Sequence, residues 1–575
     1  MKNSEIARMF YEMADVLEME DVDWKPNAYR KAARSIEAMS TDVEELYKKS
    51  GIKGLEEIPG VGEHLGEKIE EYLKTGRMKE YNHLMKSVPE GLLLLTRIPG
   101  IGPKKAKEIY SKLKIRSLKE LESAALSHKI SEIAHFKAKS EENILRGIQM
   151  LKVSSGRTLL GTALPIAEDL VSELKSLKQV GRINVAGSIR RGRESVKDID
   201  ILITSKDTKP VMDYFVKMKD MKEVLAHGPT KSSIVLHSGM QVDVRVMDEK
   251  SYGSALQYFT GSKDHNVALR QIAISKGYKL SEYGLFDRKS GRFVAGGKEE
   301  DIYRKLGLKL IPPEIREDCG ELEAARKSLP KLVELKDIRG DLHMHTNHSD
   351  GTDSVEGMVK ASRALGYEYV AITDHSKSET IANGLKEDRL LEYSKEVRKM
   401  ASKFKGIKVF TGSEVNIMVD GSLDYGDDIL KRLDFVIASV HRTFKLTRDQ
   451  MTRRLVKAIS SFYVNVLGHP TARELFNREP IVFDFEKVYS AARENNVALE
   501  INSQPRRLDL DYMHVKEAVE HGVKIIIDTD AHNAASLGQY MRFGVITARK
   551  GWCTKADVIN TRSLSEFAKF FKLRL

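Results

Sequence analysis

The chain has 575 residues, with 95 Lys and Arg against 83 Asp and Glu, a net charge of +12 and 41% hydrophobic content. That is globular composition, which excludes a disordered or fibrous protein, and at roughly 100–200 residues per domain it predicts several domains, each with its own core. Two cysteines, Cys319 and Cys553, build neither a disulfide framework nor a CxxC zinc pattern; no run reaches the ~18 apolar residues of a membrane span, so a soluble cytoplasmic protein is expected.

From the start to about residue 150 the apolar spacing is helical, which predicts an all-α region. One pattern recurs within it. Ile58-Pro59-Gly60-Val61-Gly62 precedes a helix carrying Lys68, and Ile98-Pro99-Gly100-Ile101-Gly102 precedes one carrying Lys104, Lys105 and Lys107. Both read as helix–hairpin–helix turns: glycines permit a tight turn and close approach to another backbone, and the free N–H groups of the next helix can hold a phosphate oxygen whatever the base sequence. Lys68 follows the first turn by six residues. Its amine reads equally as a phosphate contact or, if desolvated, as a nucleophile towards a sugar aldehyde.

Further along, Ile183-Asn184-Val185-Ala186-Gly187-Ser188-Ile189-Arg190-Arg191 predicts a strand ending in a Gly-Ser turn with an arginine pair, and Asp198-Ile199-Asp200-Ile201 a second strand. Strand side chains alternate, so Asp198 and Asp200 share a face while Ile199 and Ile201 enter the core. Gln241-Val242-Asp243-Val244-Arg245, in a hairpin with Ser233-Ile234-Val235-Leu236, adds Asp243 from a neighbouring strand. Three adjacent carboxylates repel one another unless divalent cations lie between them, and two Mg²⁺ (or Mn²⁺) serving phosphoryl transfer are expected there.

Gly187-Ser188, Asp198/Asp200, Asp243 and Tyr258-Phe259-Thr260-Gly261-Ser262, with Asn27-Ala28-Tyr29-Arg30-Lys31 and both hairpin turns, resemble the family X DNA polymerases over residues 1 to about 315. The resemblance implies Asp198, Asp200 and Asp243 as catalytic metal-binding carboxylates. It places Gly187, Ser188 and Arg191 at the triphosphate, Tyr258, Phe259 and Gly261 beside the sugar, and Arg245, Lys263 and Asn266 near the carboxylates or the nascent base pair. It also implies DNA contacts from Lys25, Tyr29, Gly60, Gly62, Gly100, Gly102, Lys104 and Lys105, and puts Lys68 on the lyase lysine of vertebrate members. His64 stands where those members have a helper lysine, and Lys263 where they have an acid, so its charge is expected to tighten nucleotide binding.

A proline-marked, charged stretch over residues 315–337 reads as a linker. Nine of the sixteen histidines lie beyond it. There, seven β-rich runs end in His343 and His345, His375, Glu414, His441, His469, Asn502, and Asp530 with His532, each with room for a helix before the next. This is the pattern of a β/α barrel, whose strand C-termini collect catalytic groups. With Asp350 in the first loop, nine ligands (His343, His345, Asp350, His375, Glu414, His441, His469, Asp530, His532) suit two or three ions, Zn²⁺ or Mn²⁺, and phosphoester hydrolysis. This part resembles the polymerase and histidinol phosphatase (PHP) domain; its fusion to a family X polymerase, as in bacteria and archaea, implies 3′→5′ exonuclease action, with abasic-site cleavage or 3′-phosphate removal in some members.

The expected organisation is therefore multidomain. Two all-α helix–hairpin–helix domains (1–80 and 81–150) precede an α/β palm (151–260), a thumb (261–314), the linker (315–337) and a (β/α)7-type PHP barrel (338–575). The expected function is a monomeric repair polymerase that fills short gaps in primed DNA with dNTPs and processes 3′ ends. The alternatives are a template-independent nucleotidyltransferase acting on RNA, and a DNA-binding protein carrying a small-molecule PHP phosphatase.

Overall fold

The computed structural model describes residues 2–574 apart from 38, 40–41, 90–91, 97, 99–100, 134–135 and 155. Through Ser154 the described residues are helical, from Lys2–Met19 to Ala138–Ser154, with no strand among them. They close round two cores. Phe10, Ile36, Ile69 and Tyr72 sit in the first, and Leu95, Ile109, Leu121 and Ile148 in the second. Apart from Leu95, in the short apolar helix Leu92–Thr96, these come from the apolar stripes of amphipathic helices.

The palm is a five-stranded sheet in the order Val180–Val185, Asp198–Ser205, Gln241–Met247, Lys231–Leu236, Met221–His227. Alternation along Asp198–Ser205 buries Ile199 and Ile201 and leaves Asp198 and Asp200 on the open face. Gln241–Met247 runs parallel to that strand with Asp243 directly opposite Asp200. Helices Tyr252–Thr260 and Lys263–Ser275 lead into a three-stranded meander. Residues 315–337 then pack against that unit, with Ile315, Leu322, Ala325 and Leu332 in its core.

Beyond it, seven parallel strands pair strictly in chain order, from Gly340–Asp341 to Ile525–Asp528. A parallel bridge between Met344 and Ala531 brings the first and last together, so the sheet is a nearly closed barrel. Helix Leu564–Phe571 supplies Phe567 and Phe571 to the core that includes Phe410, Phe435 and Ile526. Among the described residues no helix is long and apolar enough to cross a membrane.

The barrel also completes the palm. Leu508 and Phe543 are buried in the palm's own core, with Leu475 and Ile546 packed against it. Gly192 and Gly161 admit the close approach: a Cβ on Gly192 would stand 2.1 Å from Ile546, and one on Gly161 2.3 Å from Pro505. Arg473 pairs with Glu194 across the same seam.

Candidate active sites

The palm centre forms where two parallel strands present their carboxylates. Burial, with the charges of Asp198 and Asp243 alongside, pushes Asp200 up to about 6. Asp243 is also pushed up by burial, but hydrogen bonds from Gln241, Ser233 and Lys231 outweigh that and hold it below the usual carboxylate range. Gln241 Nε2 donates to Asp243 Oδ1 at 2.9 Å, and Lys231 Nζ lies 3.1 Å from Oδ2. Gly187 is held at φ +63, and a Cβ there would stand 2.3 Å from Asp200 Oδ2, so only glycine leaves that carboxylate its place. A clustered, mutually repelling acidic set of this kind suits divalent cations.

Around the trio, Ser188 follows Gly187 at the start of the short Gly187–Arg190 turn of helix. Arg191 Nη1 donates to the Thr260 carbonyl, and its Nε lies 3.2 Å from Glu317 Oε1. Gly261, at φ +72, leaves room for that guanidinium. Asn266 Nδ2 donates to the Tyr258 carbonyl at 2.7 Å, while Gln257 Nε2 donates to its Oδ1 at 2.6 Å, which fixes the amide. Phe259 stacks edge-on to Tyr258 and lies under the Arg245 guanidinium at 4.6 Å. Lys263 is exposed at the start of its helix, one residue after the Ser262 cap.

In the helical region, Gly62 and Gly102 are the N-caps of helices Glu63–Thr75 and Pro103–Leu113 with no side-chain cap, so the first N–H groups face outward. Gly60 has φ +85 against Lys31; Gly100 falls outside the described residues. Lys104 and Lys105 are exposed on the second of these helices. Lys25 is exposed beside Trp24, itself 88% exposed. Tyr29 is placed differently from a DNA-facing tyrosine: it is buried against Phe10, and its hydroxyl donates to Glu80, whose other oxygen lies 2.9 Å from Lys68 Nζ.

At the barrel mouth Glu414 is the hub. Its oxygens lie 2.9 Å from His375 Nδ1, 3.0 Å from His441 Nε2, 2.9 Å from His469 Nε2, 3.4 Å from His343 Nε2 and 3.6 Å from His345 Nε2. Three groups have ligand atoms within 4.8 Å of one another: His345, Asp350, His375 and His532; His343, His345 and Asp530; His375, Glu414 and His441. Although Glu414 lies close to them, buried ring nitrogens of His343, His345 and His375, with Nδ1 of His469, make no well-oriented hydrogen bond, which is the donor set that a transition-metal ion takes up. Burial lowers the basicity of the buried histidines here, and carboxylates reverse it at His343, His375 and His532, the last rising to about 9 through Asp350, whereas His345 falls to about 4 beside His375 and His532.

An outer layer of groups, absent from the set expected from sequence, fixes these candidate ligand side chains. Glu500 Oε1 binds His343 Nδ1 at 2.6 Å, and Asn416 Oδ1 binds His441 Nδ1 at 2.6 Å. Arg507 Nε lies 3.6 Å from Asp530 Oδ2, and its buried Nε and Nη1 make no hydrogen bond. Glu500 and Asn502 end a barrel strand just as the ligands do, a signal the sequence carries. Lys231, Glu317 and Arg507 leave none, because their partners come from other parts of the chain.

A carboxylate-lined nucleotidyltransferase palm with a thumb, joined to a histidine-rich PHP barrel, defines a two-centre enzyme class. Residues 1–78 match the helix-hairpin-helix domain, 92–150 a SAM-like helix-hairpin-helix tandem, 255–317 the DNA polymerase beta thumb and 341–504 the PHP domain. The DNA polymerase/3′-5′ exonuclease PolX of Bacillus subtilis (strain 168) is 37% identical over 575 residues, covering 100% of both chains. Probable phosphatases of Thermoanaerobacter sp. (strain X514) and Caldicellulosiruptor bescii are 32% and 31% identical over 233 and 242 residues, 38% and 40% of this chain and 89% and 95% of theirs. The chain belongs to the PolX family of DNA polymerase/3′-5′ exonucleases.

Proposed function

We propose that the protein fills short gaps in primed DNA by templated addition of dNTPs at Asp198, Asp200 and Asp243, and trims 3′ ends at the barrel centre, acting as a monomer. The observation that carries this reading is the register that sets Asp243 against Asp200 beside the Gly187-Ser188 turn, in a chain that matches a polymerase/exonuclease from end to end.

The palm trio would hold two Mg²⁺ or Mn²⁺; the barrel ligands His343, His345, Asp350, His375, Glu414, His441, His469, Asp530 and His532 would hold two or three Zn²⁺ or Mn²⁺. Bound at either centre, such ions supply electrostatic stabilisation of charge developing on phosphate oxygens. The chain's own residues do the positioning. Arg191 and Ser188 bind the triphosphate, the Gly187 backbone lets it approach, and Tyr258 and Phe259 wall the sugar so that a ribose hydroxyl is rejected. Asn266, its amide fixed by Gln257 and the Tyr258 carbonyl, lies near the new base pair. The outward N–H groups after Gly62 and Gly102, with Lys25, Lys104 and Lys105, hold the DNA backbone; Lys68, paired with Glu80, serves as a further phosphate contact.

A gapped, 5′-phosphorylated duplex incubated with Mg²⁺ or Mn²⁺, with and without dNTPs, tests the scheme. Asp198→Ala with Asp200→Ala should abolish primer growth and keep primer shortening, and His343→Ala should do the reverse. Loss of both activities in each folded variant would refute it. The shorter relatives named probable phosphatases, which match 38% and 40% of this chain, favour a second activity of the barrel centre, removal of a 3′-terminal phosphate. Inorganic phosphate released from a 3′-phosphorylated primer, lost in His343→Ala, would establish that activity.

A further inference from the structure

Helix Ala534–Lys550, seventeen residues long, begins directly after the proposed ligands Asp530 and His532 and ends against the palm. At 1.5 Å per residue it spans about 25 Å. Its last residue is a lysine only 3% exposed. Lys550 Nζ donates to the Arg191 carbonyl at 3.1 Å and the Glu314 carbonyl at 3.2 Å, and lies 3.0 Å from Glu317 Oε1. That same carboxylate oxygen takes Arg191 Nε at 3.2 Å, and the Thr260 carbonyl takes Nη1. Arg191 Nη2 makes no hydrogen bond among the described residues. A turn earlier on the helix, Ile546 fills the space that Gly192 leaves open.

A flexible arginine normally loses much rotamer freedom on meeting a phosphate. Here both its main chain and its guanidinium are already fixed, and the fixing cation comes from the barrel. We infer that Lys550 is a positioning residue of the polymerase centre: by holding Glu317 and the Arg191 carbonyl together, it presets the Arg191 guanidinium for the incoming triphosphate, so the nuclease domain supplies part of the nucleotide site. A lysine present merely to seal the seam would need no contact with both Arg191 and its carboxylate partner. The inference rests on the proposed role of Arg191 at the triphosphate, and it goes beyond that role by assigning the site a component from another domain.

Single-nucleotide gap filling by the full-length protein, with KM for dNTP and kcat measured separately, tests it through Arg191→Ala, Glu317→Gln, Lys550→Met and Lys550→Arg. Shortening of a single-stranded primer serves as the control for folding. Loss of one charge-assisted contact should raise KM on the order of tenfold in Lys550→Met. Its kcat and primer shortening should stay within about threefold, and Lys550→Arg should restore most of the loss. Combined with Glu317→Gln, the loss should fall short of the sum of the two. If Arg191→Ala raises KM and Lys550→Met does not, the inference fails while the reading of Arg191 stands; an equal loss of both activities in Lys550→Met also overturns it, as a purely structural lysine. If Arg191→Ala leaves KM unchanged, Arg191 is not a triphosphate ligand and both fall.

Discussion

Glu299 shows how a single buried side chain can govern two domains. It receives Arg190 from the palm at 2.6 and 2.9 Å and the fully buried Arg316 at 2.7 Å. Burial pushes its carboxyl up, but Arg316 and Arg190 outweigh that and hold it at about 2 against an ordinary 4.5. A depressed carboxyl stabilises the fold above its unfolded value, so this contribution is complete above about pH 4.5 and disappears as pH falls towards 2. Replacing it with Gln leaves Arg316 buried and unpaired, and we expect a cost of about 3–5 kcal/mol, read as a lowered urea midpoint. Asp200 has the opposite sign. Its carboxyl is raised to about 6, so without metal the fold loses stability as pH rises through roughly 4 to 6. Mg²⁺ relieves that repulsion only where the carboxylates are ionised. The gain in thermal midpoint on adding Mg²⁺ should therefore be larger at pH 7.5 than at pH 5, and Asp200→Asn should flatten the difference.

Strands account for most of what the sequence discloses. The alternation of Asp198, Ile199, Asp200 and Ile201 suffices to place two carboxylates on one face, and the parallel partner sets Asp243 directly opposite Asp200. A histidine or carboxylate closing a β-rich run likewise marks where a barrel strand stops, because a β/α barrel gathers its reactive groups at the C-terminal ends of its strands. Contacts between elements are not encoded that way. Lys550 meets residues 359, 236 and 233 positions away, and nothing local marks it; the seventeen-residue helix reads as an ordinary amphipathic one. Tyr29 sits inside a motif, yet its burial depends on Phe10 and Glu80, which the motif does not contain. The loop carrying Leu508 is the clearest case: a barrel residue 1% exposed inside the palm core. Leu508→Ala should cost about 2–4 kcal/mol and, in limited proteolysis, expose palm strands rather than barrel strands.

Across the whole molecule, the two catalytic domains share buried apolar surface instead of merely being joined. Leu475, Leu508, Phe543 and Ile546 all come from beyond residue 337 and all contact the palm core. A chain ending at residue 337 should thus bind an environment-sensitive apolar dye and melt at a lower temperature than the full protein. The connecting segment adds to this, because Leu322, Ala325 and Leu332 are themselves packed.

A rigid seam of that kind also determines how a primer terminus travels between the two chemistries. With the barrel docked on the palm core, a mispaired end is expected to reach the second centre by release and rebinding of the DNA and not by movement of the barrel. An excess of unlabelled decoy duplex, added together with dNTPs to a pre-bound mismatched primer, should consequently suppress excision followed by resynthesis on the same molecule, while leaving one round of either reaction intact.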